Sequence, residues 1–536
     1  MRFVKGLRPK VWLSLVIACG LAISAGASLQ VQIGQNFSGA AQGTDTSASP
    51  ADGNGAIGPA HFVEFVNGRY SVYNKLTGSK VQTKADINFW IAAGITFGTA
   101  NKHVSDPRVI FDVYSQRWFA SMVDFNPVLD TGTTNRFLLA VSKTSDPTGV
   151  WQGVTIDSDP ETGAFADFAT LGIDADAVYL SGDMFDSSDT QPGASLLSIP
   201  KSSLLANPPS TTGITRFGIL DYAQRGQILQ PVVTTGVATT SERVLAVDSV
   251  GIDFKAHDTL ILSSISNAAD TNSSAILSTP QVLKIPPFKV QINPYQPNGT
   301  NTLDNGDRRI SSMARRVGDV IYAVNGLQTN NHAAIVWSRI DAVKSQLIDT
   351  GVIARTNLDL FFPSIAANEA GVVVIGLNTC SSNQFIGSYA LVGEPMGASL
   401  SFGDLIQLRA GTASYDSPGS DGISRWGDYS ATSPDPSDPN RFWTIQMVAT
   451  AKSVWRTQIT EIIVTPRTLQ IATVEGGVRV SWPAILNGAQ LESASALGFA
   501  TQWSLVATEP LTSGNEKFLV FPYNSEPQFF RLGSTP

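Results

Sequence analysis

Cysteine is nearly absent from this chain, which has two among its 536 residues, Cys19 and Cys380. A disulfide-stapled scaffold is therefore excluded, and the fold must be held by burial. Charge is sparse too, at 15% of residues with a formal net of -8. No cluster of Lys and Arg offers the footprint that phosphate groups require, so nucleic acid and anionic membranes are set aside as partners. The four histidines, His61, His103, His257 and His332, are scattered without the spacing of metal ligands, which argues against a catalytic zinc. There is no Gly-x-Ser-x-Gly elbow and no phosphate-binding loop, and Cys380 has no evident reactive partner. Helical signals are rare, with single turns expected at Pro200 to Leu205 and at Asp341 to Lys344.

Apolar residues make up 43% of the chain, alongside 46 Gly and 29 Pro, the composition of a turn-rich globular β-protein. The N-terminus reads as a secretory signal. Arg2, Lys5, Arg8 and Lys10 precede the apolar run from Val11 to Ile23, and Ala25-Gly26-Ala27 supplies small residues for cleavage after Ala27. Ser14 and Gly20 interrupt that run, which is short for a retained anchor, so no transmembrane anchor is expected after processing. Val16-Ile17-Ala18-Cys19 has the look of a lipidation motif, but the apolar residues after Cys19 disfavour that route.

A unit recurs through most of the remainder: an apolar stretch, a turn rich in Asp, Gly, Pro or Asn, then a strand of β-branched and aromatic residues. Copies run from Gly55 to Val66, Pro107 to Val123, Leu171 to Met184, Ser312 to Asn325, Ser364 to Leu377 and Tyr429 to Met447, with a weaker one from Gly236 to Val247. They open near residues 57, 109, 172, 238, 313, 365 and 431. Steps of this size suit four-stranded blades, and radial closure hides the sheet edges an exported β-protein must protect. The alternative is a pair of β-sandwiches with evenly spaced hairpins. A polar insertion from Asn267 to Asn305 is expected as a loop over one face. Beyond Pro466 the pattern changes to short strands separated by Gly, Asn and Pro. The predicted organisation is a signal peptide over 1–27, a seven-bladed β-propeller over 28–465 and a small C-terminal β-sandwich over 466–536.

The segments SDPRVIFDVYSQRWFAS (105–121), AVSKTSDPTGVW (140–151), FADFATLGIDADAVYLSGDMF (165–185) and RWGDYSATSPDPSDPNRFW (425–443) resemble bacterial secreted propeller proteins, distantly like the sialidase type. The C-terminal stretch, with SWP at 481–483, QLES at 490–493 and QFFRL at 528–532, resembles the small β-domain that ends many planctomycete and verrucomicrobial exported proteins. Sialidase-type propellers carry Asp-box turns, and Thr144 to Trp151 is a degenerate copy with its Gly one position late. Asp438 to Trp443 keeps the step from Asp to Trp without the Gly. The role such turns imply is structural, the carboxylate capping backbone N–H groups while the Trp packs.

A sialidase-like hydrolase would need three arginines on a substrate carboxylate, a Tyr–Glu nucleophile pair and an acidic proton donor. Arg108, Arg309 and Arg425 stand near repeat openings, but no Glu stands beside a Tyr there, and Glu64 and Glu369 read as solvated positions. No catalytic residue is therefore assigned. Asp106, Asp167 and Asp428 are expected to join the arginines in a polar ring at the channel mouth, with Trp426 as a candidate platform for a sugar ring. Trp90, Trp118, Trp337 and Trp455 are expected in the blade core. Asp174, Asp176 and Asp183 are dense enough in carboxylates to suggest calcium, without the turn glycine or terminal Glu of a known loop; no other cofactor is indicated. Nothing sets an oligomeric state. The expected function is an exported propeller that binds glycans or a cell-surface protein. The alternatives are an exo-acting sialidase-like hydrolase or lyase on acidic sugars and an envelope scaffold with no small ligand.

Overall fold

A computed structural model describes residues 29–534 apart from 99–101, 127–133, 189, 237–240, 249–256, 290–291, 306–307, 397–398, 419–421, 467, 485, 487–488, 497–500, 515 and 524–527. The expected signal segment and Cys19 lie outside the described residues. The chain is nearly all β. Among the described residues no helix is long and apolar enough to cross a membrane. Contacts divide the chain into a body, Gln30–Thr465, and a unit that contains Pro466–Pro536.

The body is a succession of antiparallel meanders, because short turns bring each strand back beside its predecessor. Asn54–Ile57, His61–Val66, Arg69–Asn74 and Lys80–Lys84 form the first sheet. His103–Asp112, Arg117–Phe125, Arg136–Ser142 and Trp151–Asp157 form the next, followed by Phe165–Ile173, Ala177–Phe185, Gly193–Pro200 and Thr215–Leu220. Gln227–Pro231, Ser241–Val247 and His257–Ser266 follow, the last carrying both Ile276–Leu277 and Gln281–Phe288 on its outer side. Arg315–Val317, Val320–Thr329, His332–Asp341 and Gln346–Ile353 come next, then Asp359–Ala367, Val373–Ser381 and Gln384–Met396 with Ser399–Phe402 and Ile406–Arg409. The last meander is Ala431–Pro434, Arg441–Ala451 and Val454–Thr465, and its outermost strand comes from the opposite end of the body, Gln30–Ala41.

This last pairing closes a ring. Most first strands of consecutive sheets touch one another in chain order, and Ala431–Pro434 returns to Asn54–Ile57; at Arg315–Val317 the contact is made by an added short strand. A short parallel strand, Val233–Thr235, bridges Phe165–Ile173 and Arg315–Val317. Hydrophobic clusters fill each gap between neighbouring sheets. Ile110, Phe119 and Leu139 meet Leu171, Val178 and Leu180 in one, and Ile57 and Phe62 meet Trp443 and Ile445 in another. Because both faces of every sheet are covered, the strands read as apolar runs and not as strict alternation. The result is a propeller-like ring, an arrangement that leaves only short sheet edges.

The inner strands share a backbone device. Asp106, Phe168, Ile228 and Phe362 each adopt a left-handed conformation (φ 62°, 51°, 54° and 48°), at a register shift in their strands. Asp52, just before Asn54–Ile57, does the same at φ 48°. Two residues beyond each stands a buried polar side chain: Asn54, Arg108, Thr170, Gln230 and Ser364. Such bulges turn one side chain toward the axis and the next toward the ring's end.

Several local expectations change. The repeat copy at Gly236 to Val247 begins one strand late, since the inner strand there is Gln227–Pro231; Pro231 is tolerated because that strand lies at a sheet edge. The expected loop from Asn267 to Asn305 contains the edge strand Gln281–Phe288, whose Leu283 and Ile285 are buried. Pro200 to Leu205 does give a helical turn, Lys201–Leu204, but Asp341 to Lys344 is a turn capped by the Asp341 carboxylate. The helix Asp86–Ala92 was not anticipated, and it buries Phe89 and Trp90.

In the C-terminal unit, Gln470–Val474, Gly477–Pro483, Glu516–Pro522 and Leu511–Ser513 make one sheet, and Ala489–Ala494 pairs with Ser504–Leu505 and Phe529–Ser534 in another. Val480, Trp482, Leu491 and Leu519 form one cluster between them, against which Phe521 and Phe530 pack.

Candidate functional site

At the end of the ring where the inner strands begin, a cavity of about 600 Å³ is lined by Asp52, Asn67, Asp106, Asp167, Arg425 and Asp428, with Lys102, His103 and several serines. One oxygen from each of Asp52, Asp106 and Asp428 lies within 4.8 Å of the others. The left-handed turn at Asp52 delivers its carboxylate to two donors, Asp428 N at 3.0 Å and Asn67 Nδ2 at 2.7 Å. Asn67 Oδ1 in turn accepts from Asp106 N at 3.2 Å, so one amide fixes two of the acids. Ser105 donates to Asp106 Oδ1 at 2.9 Å, while Asp106 Oδ2 is buried with no donor among the described residues.

Four carboxyls this close cannot all ionise without cost. Burial, then repulsion from Asp167 and Asp428, pushes Asp106 up to about 7. Burial followed by Asp428 and Asp106 raises Asp52. Asp167 is open to the cavity yet enclosed by enough protein that burial, and then Asp428, raise it as well. Arg425 supplies the compensating charge, with Nη2 2.9 Å from Asp428 and Nη1 on Asp304. Burial opposes that charge, but Asp428, Asp304 and Asp52 outweigh it and raise the guanidinium's pKa. The oxygen-only set formed by Asp52, Asp106 and Asp428 is of the kind that suits a hard cation such as calcium.

Asp106, Asp167, Arg425 and Asp428 thus come together as their places at repeat openings suggested. The other candidates do not. Arg108 is fully buried on the axis, where Nε and Nη1 each donate at 2.9 Å to the carbonyls of Ala169 and Ser311 and the guanidinium lies 3.4 Å from the Tyr429 ring centroid. Arg309 sits over the Phe168 ring and 3.6 Å from Asp183. Trp426 cannot serve as a platform, because it is buried against Tyr415 and donates to Asn378 Oδ1 at 3.1 Å. Trp90, Trp118, Trp337 and Trp455 are buried.

The calcium reading at Asp174, Asp176 and Asp183 fails on geometry. Asp174 caps its own turn through Asp176 N and Ala177 N, both at 2.8 Å, and accepts from Tyr179 at 3.0 Å. Asp183 lies near the far end of strand Ala177–Phe185, at about 3.3 Å per residue, and accepts from Ile228 N. Glu64, expected in solvent, is buried: it accepts from Ala40 N at 2.9 Å, Tyr73 at 2.7 Å and Thr457 at 2.5 Å. The chain therefore does hold a Tyr–Glu pair, but it ties the N-terminal strand to the ring and does not line the cavity. Asp146 caps Thr148 N at 2.9 Å while Trp151 is buried, the structural role expected of that turn.

Sequence reasoning missed Asp52 and Asn67. A signal was present: Asp-x-polar recurs as Asp52-Gly53-Asn54, Asp106-Pro107-Arg108 and Asp428-Tyr429-Ser430, each just ahead of an apolar inner strand.

No protein-family model and no curated protein matches the sequence. Among solved structures, the extracellular domains 1-2 of Drosophila Semaphorin 1a align at 8% identity and TM-score 0.38, over 77% of this chain and 86% of that one. A protein of unknown function from Dyadobacter fermentans aligns at 12% identity and TM-score 0.35, over 68% and 95%. An exo-β-1,3-galactanase from Clostridium thermocellum aligns at 10% identity and TM-score 0.31, over 91% and 100%. These likenesses are remote, and the fold assignment rests on the strand pairing of this chain.

Proposed function

We propose that the body is a seven-bladed propeller of an exported protein, followed by a small β-sandwich, and that it acts as a binding module for neutral glycans carried free or at a cell surface. The observation that carries this reading is the acidic cavity at the ring's end. Its carboxylates and serine hydroxyls suit a ligand rich in hydroxyl donors, since O–H groups bond strongly to carboxylates. The cavity volume falls within the range of about 300–1,000 Å³ common for small-ligand sites.

An exo-acting enzyme on acidic sugars is less well supported, because Arg108, Arg309 and Arg425 are committed within the protein and form no shared clamp. A hydrolase of neutral glycans is the second reading, favoured by one observation: Asp106, pushed up to about 7, holds a proton to donate within the acidic cluster that includes Asp428. The test is titration of the exported chain with a panel of neutral and uronate-containing oligosaccharides, assaying every mixture for released sugar. Saturable binding of neutral members, weakened about tenfold or more in Asp428→Asn, supports the module. Preference for uronates contradicts it, and released sugar moves the assignment to the hydrolase.

A further inference from the structure

The ring has a second opening, further along the same inner strands. Asp52 and Asp106 reach the acidic cavity, whereas Ile57, Ile110 and Phe111 on the same or adjoining segments line another of about 370 Å³. The residue of interest there is Arg315, on the inner strand Arg315–Val317. Its side chain is 6% exposed, and its Nε donates to Thr432 O at 3.0 Å. Among the described residues no carboxylate pairs with the guanidinium and no acceptor meets its two terminal nitrogens, and the residue lines the cavity.

Several other buried or half-buried arginines here are paired with an acid, whereas Arg108 is met by two carbonyls and the Tyr429 ring. Arg339 pairs with Asp349 at 2.5 Å, Arg136 with Asp124 at 2.7 Å, Arg425 with Asp428 at 2.9 Å, and neighbouring Arg316 turns away to Asp319 at 3.4 Å. Two acids do border the second cavity, but Asp435 is held by Lys75 at 2.7 Å, and Glu369 is exposed at a hairpin tip. Burial alone pulls the Arg315 pKa down, to about 10, with no acid opposing it. A desolvated cation without a counter-charge is costly, and an anion seated in this cavity would offset that cost. The remaining wall is largely apolar, from Ile57, Ile110, Phe111 and Val317.

We propose that this cavity binds a small carboxylate carried on an apolar body, the two terminal nitrogens of Arg315 taking the carboxylate in the bidentate manner that guanidinium favours and the apolar wall taking the rest. The site is independent of the acidic mouth, and either can fail without the other.

The test is calorimetric titration of the whole exported chain with benzoate, with its uncharged counterpart benzamide and with acetate, alongside thermal melts in each ligand. Benzoate should saturate and raise the Tm, and both benzamide and acetate should bind about tenfold more weakly or worse, the first lacking the charge and the second the apolar body. Arg315→Met should abolish benzoate binding while melting higher than the parent in buffer, because the uncompensated charge is gone. Arg315→Lys should keep the fold and lose most of the affinity. Equal binding of benzoate and benzamide, absence of benzoate binding to the parent chain, or undiminished binding in Arg315→Met would each overturn the proposal. The benzoate and benzamide comparison on the parent chain decides even if a variant does not fold.

Discussion

Asp106 concentrates the electrostatic tension of the acidic mouth, and its titration gives a sign that can be checked. An unfolded Asp ionises near pH 3.9, whereas folded Asp106 holds its proton up to about 7. Its contribution to stability is therefore fully present below about pH 3.9 and is lost as pH rises through 7, with a slope of at most about 1.4 kcal/mol per pH unit. Asp52 and Asp167, both raised, act in the same direction. Asp106→Asn should be more stable than the parent at pH 8 and much like it near pH 4, as read by urea unfolding at both pH values; equal stabilities at pH 8 would contradict the assignment. Trp426→Ala, by contrast, should cost about 3–5 kcal/mol at any pH, because the indole is buried and its N–H is bonded to Asn378. At this scale the sequence disclosed which acids open the repeats, since Asp106, Asp167 and Asp428 stand beside runs that must be inner strands. It misled about Arg108 and Trp426, which share those segments. Whether a side chain at a bulge faces the cavity or the core depends on one backbone turn, which the Asp-x-polar pattern marks only at some of the bulges.

The recurrent bulge is also what makes the elements comparable. Asp106, Phe168, Ile228 and Phe362 share no single residue type, yet each bends its strand at a register shift. This explains why the apolar repeat was legible while the polar belt beside it was not. It explains too the misplaced copy at Gly236 to Val247: Gln227–Pro231 presents two Gln and a Pro, and only its pairing with Ser241–Val247 identifies it as a strand. Glu64 is the other element-scale lesson. Its place in an alternating strand suggested solvent, but the outer strand Gln30–Ala41 comes from far away in sequence and covers it. Glu64→Ala would strand three donors, so a loss of about 2–4 kcal/mol is expected, with earlier proteolysis within Gln30–Ala41 than elsewhere in the body. Cleavage that begins elsewhere would show that Glu64 does not secure this strand.

For the whole molecule, the closed succession of meanders places two openings of opposite character along the inner strands, one rich in carboxylates and one holding the uncompensated Arg315. Closure depends on Gln30–Ala41 completing the last sheet, so removal of residues 28–41 should abolish the cooperative melt of the body and not merely lower it. Circular dichroism melts of the full and shortened chains would settle this, and an unchanged transition would refute ring closure by that strand. The ring was legible because burying both faces of every sheet leaves apolar runs at regular intervals. The chemistry of its openings was only partly legible, because it is assembled from residues as distant as Asp52 and Asp428. The most direct test of the central claim is a calorimetric comparison of one neutral oligosaccharide with its uronate counterpart on the parent chain and on Asp428→Asn. The account predicts that the neutral sugar binds the parent chain and that this binding is lost in the variant, with the uronate weaker on the parent; tighter binding of the uronate, or binding indifferent to Asp428, would contradict it.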